Sequence, residues 1–195
     1  MNQPLFPLIF FMVALSGLNP GTELNPKVLI KSELGVIKVE IYERQAPATA
    51  ANFLRYVDAG LFKGAAFYRV VRLDNQPNNV VKIEVIQGGL RFTDGESPFP
   101  PIEHETTEKT GILHKDGVIS MARSAPGSAT SEFFICIGDQ PELDFGGKRN
   151  PDGQGFAAFG RVIEGLDVVR KIQQQPDDGQ MLKQAVKILD IERIS

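Results

Sequence analysis

The sequence contains 195 residues, of which 42% are hydrophobic, and this length and composition suffice for one sizeable core in a single domain. The formal net charge of -3 lacks the positive potential with which most nucleic-acid-binding proteins attract phosphate, so no nucleic-acid partner is expected. The single cysteine, Cys136, excludes an internal disulfide and a cysteine-based metal cluster, and its apolar neighbours predict a buried side chain.

The N-terminal segment differs from the rest, because residues 5–18 are continuously apolar. This segment is shorter than the about 20 residues that span a bilayer comfortably, and Asn, Pro, Gly and Thr follow it. We expect residues 1–18 to be an export signal cleaved after Ser16, 19–26 a linker and 27–195 the folded domain. The mature protein would then lie in the periplasm or outside the cell. Because the first four residues carry no Lys or Arg, the alternatives are a retained membrane anchor and a cytosolic apolar tail.

Periodicity predicts strands over most of the remaining chain. Residues 35–42 alternate apolar and polar side chains, as in a half-buried strand, and residues 27–32 can pair with them. A helix is predicted to begin at Pro47, which suits a first helical turn, and to end at Gly60. Further strands are expected at 66–71, 80–87, 117–122, 132–137, 156–162 and 186–194, and a second helix at 166–174. Because βαβ alternation is missing, this order favours an antiparallel sheet or barrel with helical caps.

Few residues match a known catalytic pattern. Motifs for nucleotide phosphates, dinucleotides and a nucleophilic serine are missing, and the two histidines, His104 and His114, show no metal-ligand spacing. The run at 103–105 is therefore expected to be a solvated loop, and neither a metal nor a cofactor is predicted. Arg69 stands out, because its apolar neighbours place a guanidinium beside hydrophobic side chains on a sheet face. Such an arginine is either a structural strand residue or a charged donor in a binding site.

Five segments, taken in order, resemble one protein family. They are FYRVV at 67–71, VIQGG at 85–89, ISMAR at 119–123, SATSEFFIC at 128–136 and FAAFGRVIEGLDVV at 156–169. The family is that of the cyclophilin-type peptidyl-prolyl cis-trans isomerases, and the run NPDGQGFAAFG at 150–160 is similar to its bacterial branch. The resemblance implies a mainly β fold, a closed eight-stranded antiparallel β-barrel capped by two α-helices, with a proline-binding groove on its outer face.

The resemblance also implies a function. Cyclophilins accelerate rotation about X-Pro bonds without a cofactor and so assist protein folding, and the expected partners are proline-containing unfolded or flexible polypeptides. Arg69 matches the catalytic arginine of the family, and Gln87 matches the glutamine that binds the substrate backbone. The positions expected to bind substrate are Ile83, Val85, Ala122, Arg123, Glu132, Phe134, Leu143 and Phe156. A monomer is expected. The alternative is a module or chaperone of the same fold that binds proline segments with weak or no turnover.

Glu84 stands where the family has a phenylalanine in the proline pocket. A carboxylate in an apolar pocket is costly unless it is paired or turned to solvent. Strand alternation places Ile83, Val85 and Gln87 on one face and Glu84 on the other, so we expect Ile83 to take the place of the phenylalanine. The alternative is that Glu84 pairs with Arg69 and weakens turnover.

Overall fold

Eight antiparallel strands close into a barrel in the computed structural model, which describes residues 25–91 and 97–194. The strands are β1 (Lys27–Ser32), β2 (Gly35–Ile41), β3 (Ala66–Val71), β4 (Val85–Gly89), β5 (Val118–Met121), β6 (Phe133–Cys136), β7 (Ala157–Glu164) and β9 (Met181–Ile194), and a short β8 (Asp177–Asp178) pairs with β9. Neighbours follow the order β1-β2-β7-β5-β6-β4-β3-β9, and pairing of β9 with β1 closes the barrel. The predicted mainly β barrel is confirmed.

Three α-helices accompany the strands in the described part of the chain. They are α1 (Pro47–Asp58), α2 (Thr107–Thr110) and α3 (Leu166–Gln173), and a 3-10 turn covers Pro141–Leu143. The two predicted helices are α1 and α3. The sequence reasoning missed α2, because it is a single turn and too short to show helical periodicity. Two local features stabilise α2. The Thr106 side chain accepts a hydrogen bond from the Lys109 amide, and Gly111 ends the turn at a φ of 72°.

The strand predicted at 80–87 is wrong in its first half, because β4 begins at Val85. Upstream of β4, the side chain of Gln76 substitutes for a neighbouring strand. Its Nε2 donates to the carbonyl of Ile83 at 2.8 Å, and its Oε1 accepts from the Ile83 amide at 3.3 Å. The last strand is longer than predicted and begins at Met181 rather than Val186.

The apolar faces of the strands form the core. In β2, Ile37, Val39 and Ile41 are fully buried, as the alternation predicts. Helix α1 is fixed to this core by Phe53, whose ring centroid lies 5.1 to 5.6 Å from those of Phe62, Phe133 and Phe159. Edge and tilted contacts between aromatic rings stabilise the packing beyond the area they bury.

The run at 103–105, predicted as a solvated loop, is only partly solvated, because Glu105 is buried. Helix α1 has no side-chain cap of its own, since Ala46 occupies the N-cap position. The Glu105 carboxylate caps the helix instead. It accepts from the amides of Ala48 and Thr49 at 3.1 and 2.8 Å, and from the Thr49 hydroxyl at 2.6 Å. This charge-assisted cap explains why a carboxylate is tolerated in the interior.

The proposed export signal or anchor at residues 1–18, and most of the linker, lie outside the described residues. Among the helices of the described ranges, none is long and apolar enough to span a bilayer.

Candidate active site

Strand register brings distant residues into one row on the barrel. Pairing of β3 with β4 places Arg69 opposite Gln87, and pairing of β4 with β6 places Gln87 opposite Phe134. Pairing of β6 with β5 then places Phe134 opposite Ser120. Because directly paired residues project from the same face of a sheet, the predicted arginine, glutamine and phenylalanine lie side by side.

A cavity of about 250 Å³ opens over this row. Nine of the ten predicted site residues line it: Arg69, Ile83, Val85, Gln87, Ala122, Arg123, Phe134, Leu143 and Phe156. The tenth, Glu132, borders an adjoining recess of about 230 Å³ that shares three of these residues with the cavity. Arg149 and Asn150, which the sequence reasoning missed, complete the cavity wall. The predicted residues are therefore one continuous surface.

Neutral acceptors hold the guanidinium of Arg69. Its Nη1 donates to Oε1 of Gln87 at 2.8 Å, while Nε and Nη2 donate to Oε1 of Gln180 at 3.1 and 2.6 Å. None of the ion pairs between described residues involves Arg69. Burial lowers the pKa of Arg69 below its ordinary value, but a guanidinium stays protonated in proteins. The positive charge is thus fixed in position without being neutralised.

Gln180 is a site residue that the sequence reasoning missed. It lies between β8 and β9 with a φ of 80°, in the left-handed region that non-glycine residues seldom adopt. Its backbone N–H donates to Oδ2 of Asp177 at 3.0 Å, and its Nε2 donates to the carbonyl of Asn75 at 3.2 Å. Because Nε2 is engaged there, Oε1 faces Arg69. No local pattern could have found this contact, which joins residues 111 positions apart.

A buried network fixes the aromatic wall of the cavity. Phe134 meets Phe156 edge to face, with 5.2 Å between ring centroids, and stacks on His114 at 5.9 Å. His114 in turn contacts Asp144 through Nδ1 at 2.7 Å and the Ser120 hydroxyl through Nε2 at 3.0 Å. This Ser-His-Asp geometry resembles that of a hydrolase, but Ser120 is 0% exposed and cannot reach a substrate. The network instead holds Phe134 in place.

Residues 27–193 match the family model described as cyclophilin type peptidyl-prolyl cis-trans isomerase/CLD. The chain belongs to this cyclophilin family. A peptidyl-prolyl cis-trans isomerase of Acinetobacter baylyi is 36% identical over 176 residues, which cover 86% of this chain and 85% of that protein. Peptidyl-prolyl cis-trans isomerase A of Dickeya dadantii is 31% identical over 179 residues, covering 89% and 86%. The family and these relatives confirm the predicted function, that of a cyclophilin-type peptidyl-prolyl isomerase.

Solved structures agree with the cyclophilin fold. A crystal structure of a cyclophilin type peptidyl-prolyl cis-trans isomerase from Cryptosporidium parvum matches with a TM-score of 0.68 and 22% identity, over 88% of this chain and 98% of that one. A structure of the same cyclophilin in the presence of the dipeptide Ala-Pro matches with a TM-score of 0.66 and 23% identity, over 87% and 99%. At sequence identities this low, the two matches show only that the fold is shared.

In this cyclophilin, Glu84 does not contact Arg69. Its Oε1 accepts from Nε2 of Gln173 in α3 at 3.3 Å, and the side chain is partly exposed. Ile83, the preceding residue, is buried and lines the cavity. This is the arrangement in which Ile83 occupies the pocket and Glu84 turns away, so Glu84 does not compete for the arginine.

Glu132 has three hydrogen-bond donors within the protein. Its carboxylate accepts from the hydroxyl of Tyr68, from the amide of Arg91 at 2.7 Å and from the hydroxyl of Ser131 at 3.2 Å. Burial, and then the bond to Glu132, raise the pKa of Tyr68 well above its ordinary value. The Tyr68 hydroxyl also accepts from Nε2 of Gln87 at 2.9 Å. The recess beside the cavity therefore has a polar, ordered wall.

The guanidinium of Arg123 supports a loop, although the residue lines the cavity. Its side chain is 1% exposed, donates to Asp152 at 2.8 and 2.9 Å, and donates to the carbonyl of Gly155 at 2.9 and 2.6 Å. It also lies 5.2 Å from the ring centroid of Phe156. Its hydrogen bond lowers the pKa of Asp152 to about 2. Arg123 thus positions Phe156, and Asp152 neutralises its charge.

Arg149 reaches the cavity from the loop at 144–155. Its Nη1 donates to Oε1 of Gln76 at 3.0 Å and to the carbonyl of Val81 at 2.6 Å. Burial, and then the charge of Arg69, lower the pKa of Arg149. A loop rich in turn residues does not reveal which of its side chains folds back over a groove, so sequence reasoning missed this one.

The site offers fixed hydrogen-bond donors beside apolar walls. In the ranges 25–91 and 97–194, no group of three or more His, Cys, Asp or Glu side chains could hold a metal ion. Cys136 is buried, and burial raises the pKa of its thiol, so it is no nucleophile. The guanidinium and amide N–H groups remain.

Proposed function

We propose that Arg69 is the catalytic residue of this isomerase and that Gln87 and Gln180 hold it in position. We base this on the hydrogen bonds that the Arg69 guanidinium makes and on the N–H groups that it leaves free. An arginine side chain has five N–H groups. Three of them donate to Gln87 and Gln180. The remaining two, one on Nη1 and one on Nη2, have no partner among the described residues and are available to a ligand in the cavity.

Rotation about an X-Pro bond is slow because amide resonance must be broken, with a barrier of about 18 to 20 kcal/mol. In the twisted transition state, the prolyl nitrogen regains its lone pair and becomes a hydrogen-bond acceptor. A fixed donor directed at this nitrogen binds the twisted state more tightly than the planar one, which lowers the barrier. The free N–H groups of Arg69 are such donors, and their charge strengthens the bond.

Gln87 has a second role in this scheme. Its Oε1 accepts from Arg69, and one N–H of its Nε2 donates to the hydroxyl of Tyr68. Both ends of the amide are therefore fixed, which settles the orientation of the group. The other N–H of Nε2 is left for a carbonyl of the substrate backbone, which would align the X-Pro bond with Arg69.

The apolar walls would hold the proline ring. Phe134 and Leu143 are buried and line the cavity together with Phe156, Ile83 and Val85. These side chains exclude water from the reacting bond, and a charged hydrogen bond is stronger in such a place than in solvent. A hydrogen bond to a charged group contributes about 1.5 to 3 kcal/mol, which corresponds to about 10-fold to 150-fold in rate.

NMR exchange spectroscopy on a blocked proline tetrapeptide tests the proposal. We expect the protein, at concentrations far below that of the peptide, to accelerate exchange between cis and trans resonances. A binding module or chaperone of the same fold would shift the peptide resonances without accelerating their exchange, and that result would contradict the proposal.

We also propose that residues 5–18 direct export, and that the clients are unfolded or flexible polypeptides outside the cytoplasm, bound by a monomer. The support is the apolar run and the small residues near Ser16. N-terminal sequencing of the protein from fractionated cells should place the mature terminus after Ser16, in a soluble envelope fraction. An intact N-terminus in the membrane fraction would indicate an anchor. Light scattering measures the oligomeric state and should give the mass of a monomer.

A further inference from the structure

The cavity has an unbalanced charge. Three arginines line it, Arg69, Arg123 and Arg149, and no carboxylate is among its lining residues. Asp152 neutralises Arg123. The other two guanidinium groups take part in none of the ion pairs between described residues. Two uncompensated cations therefore share one partly enclosed space, which is unfavourable in the absence of an anion.

Arg149 is held in the cavity wall through one end of its guanidinium. Its Nη1 donates to the side chain of Gln76 and the carbonyl of Val81. Gln76 is 1% exposed, and its own Nε2 donates to the carbonyls of Arg72 and Ile83. This anchoring uses both N–H groups of Nη1. The N–H groups on Nε and Nη2 have no acceptor within the described part of the chain, and Nε with Nη2 is a pair of donors that can bind one carboxylate in a fork.

The two ends of the groove carry opposite charge. Glu132 borders the recess at the end where β6 begins. Arg149 contacts the segment that leads into β4, near Val81, and so lies toward the opposite end of the strands. A peptide bound along the groove therefore meets a carboxylate with three internal donors on one side of its proline and a guanidinium with free donors on the other.

We propose that Arg149 binds an acidic side chain of the substrate next to the proline, so that this cyclophilin prefers X-Pro segments flanked by Asp or Glu. The inference rests on the proposed function, because it assigns Arg149 a role beside Arg69 in the same cavity. A carboxylate fits better than a doubly charged group, since Arg69 is reserved for the prolyl nitrogen and one guanidinium matches one negative charge. The fork geometry would also select a planar anion.

Two pairs of blocked tetrapeptides test the inference with the full chain. One pair carries Glu or Gln before the proline, and the other carries Glu or Gln after it. The readout is the ratio of kcat/KM for Glu over Gln within a pair, measured by exchange spectroscopy. A ratio cancels any general loss of activity in a variant. We expect a ratio of about 5 to 10 in one pair, as for a partly screened charged hydrogen bond, and a decline with added salt.

Arg149→Gln should reduce that ratio to about 1, and Arg149→Lys should retain part of it. The matched control is Lys148→Gln, which removes the same charge from the neighbouring, exposed residue and should leave the ratio unchanged. Ratios near 1 in both pairs for the wild type would overturn the inference while leaving the isomerase assignment intact. Persistence of the preference in Arg149→Gln, or an equal loss in Lys148→Gln, would overturn it too. Failure to accelerate any of the four peptides would refute the proposed function itself.

Discussion

Replacement of Gln180 by glutamate tests the effect of the Arg69 charge while leaving the arginine in its position. The change keeps the size of the side chain and the oxygen that accepts from Nε and Nη2 of Arg69. It removes the donor to the carbonyl of Asn75 and places a negative charge against the guanidinium. If Arg69 acts through an uncompensated positive charge, kcat/KM should fall although the arginine stays bound.

The expected loss follows from the geometry. The new carboxylate oxygen would lie about 2.6 Å from Nη2. Across the guanidinium and one further hydrogen bond, this places it about 6 to 7 Å from the prolyl nitrogen. At an effective dielectric constant of about 20, two unit charges at that distance repel by about 2 to 3 kcal/mol. With roughly half a charge developing on the nitrogen, the barrier rises by about 1 kcal/mol, which is about fivefold to tenfold in rate.

The assay is exchange spectroscopy on a neutral blocked peptide, with kcat and KM determined separately. The loss should appear mainly in kcat, because the charge acts on the twisted state rather than on the bound planar one. The control is Gln184→Glu, the same charge change at an exposed position of β9. Unchanged kcat in Gln180→Glu would show that the uncompensated charge of Arg69 is not needed, and an equal loss in the control would show that the effect does not arise at the site.

Three further predictions concern groups around the site. Glu84→Gln should change kcat/KM by less than about twofold, because Glu84 contacts Gln173 rather than Arg69; a many-fold gain in activity would show that the carboxylate restrains the arginine. Burial lowers the pKa of His104 below its ordinary value of 6.5, so the unfolded state binds a proton more readily, and the free energy of unfolding should fall as pH drops below about 6.5. Urea titrations at pH 7 and 5 should show a smaller fall in His104→Gln, and an identical fall would contradict this. Glu105→Ala should lower the free energy of unfolding by about 2 to 3 kcal/mol, because it removes the charged cap of α1, and a cost below about 0.5 kcal/mol would show that the cap is dispensable.

Residues within strands were predictable because their faces follow from alternation. The spacing of Val85 and Gln87 in β4, and of Ile83 just before this strand, already places these three side chains on the cavity face and Glu84 on the other. The structure brings the same three into the wall of the cavity. The register between β4 and β6 then aligns Gln87 with Phe134. The order of the family segments implies that these two residues are neighbours but does not give the distance between them.

Two of the residues that reach the site from loops, Gln180 and Arg149, were not predictable. Gln180 and Arg149 contact it through pairings over long sequence separations, and loop composition does not determine such pairings. The helix Thr107–Thr110 escaped for a different reason, since a single turn has no period to detect. The buried cap by Glu105 depends on a helix 56 positions away, so its sequence neighbourhood suggested only a solvated loop.

Exchange spectroscopy on Arg69→Ala shows directly whether this guanidinium is catalytic, with the exposed Arg44→Ala as the matched loss of an arginine. We expect Arg69→Ala to lower kcat/KM on a neutral proline peptide by at least about tenfold, with the circular dichroism spectrum unchanged, while Arg44→Ala keeps the wild-type value. Equal kcat/KM for the wild type and both variants would contradict a catalytic role for Arg69.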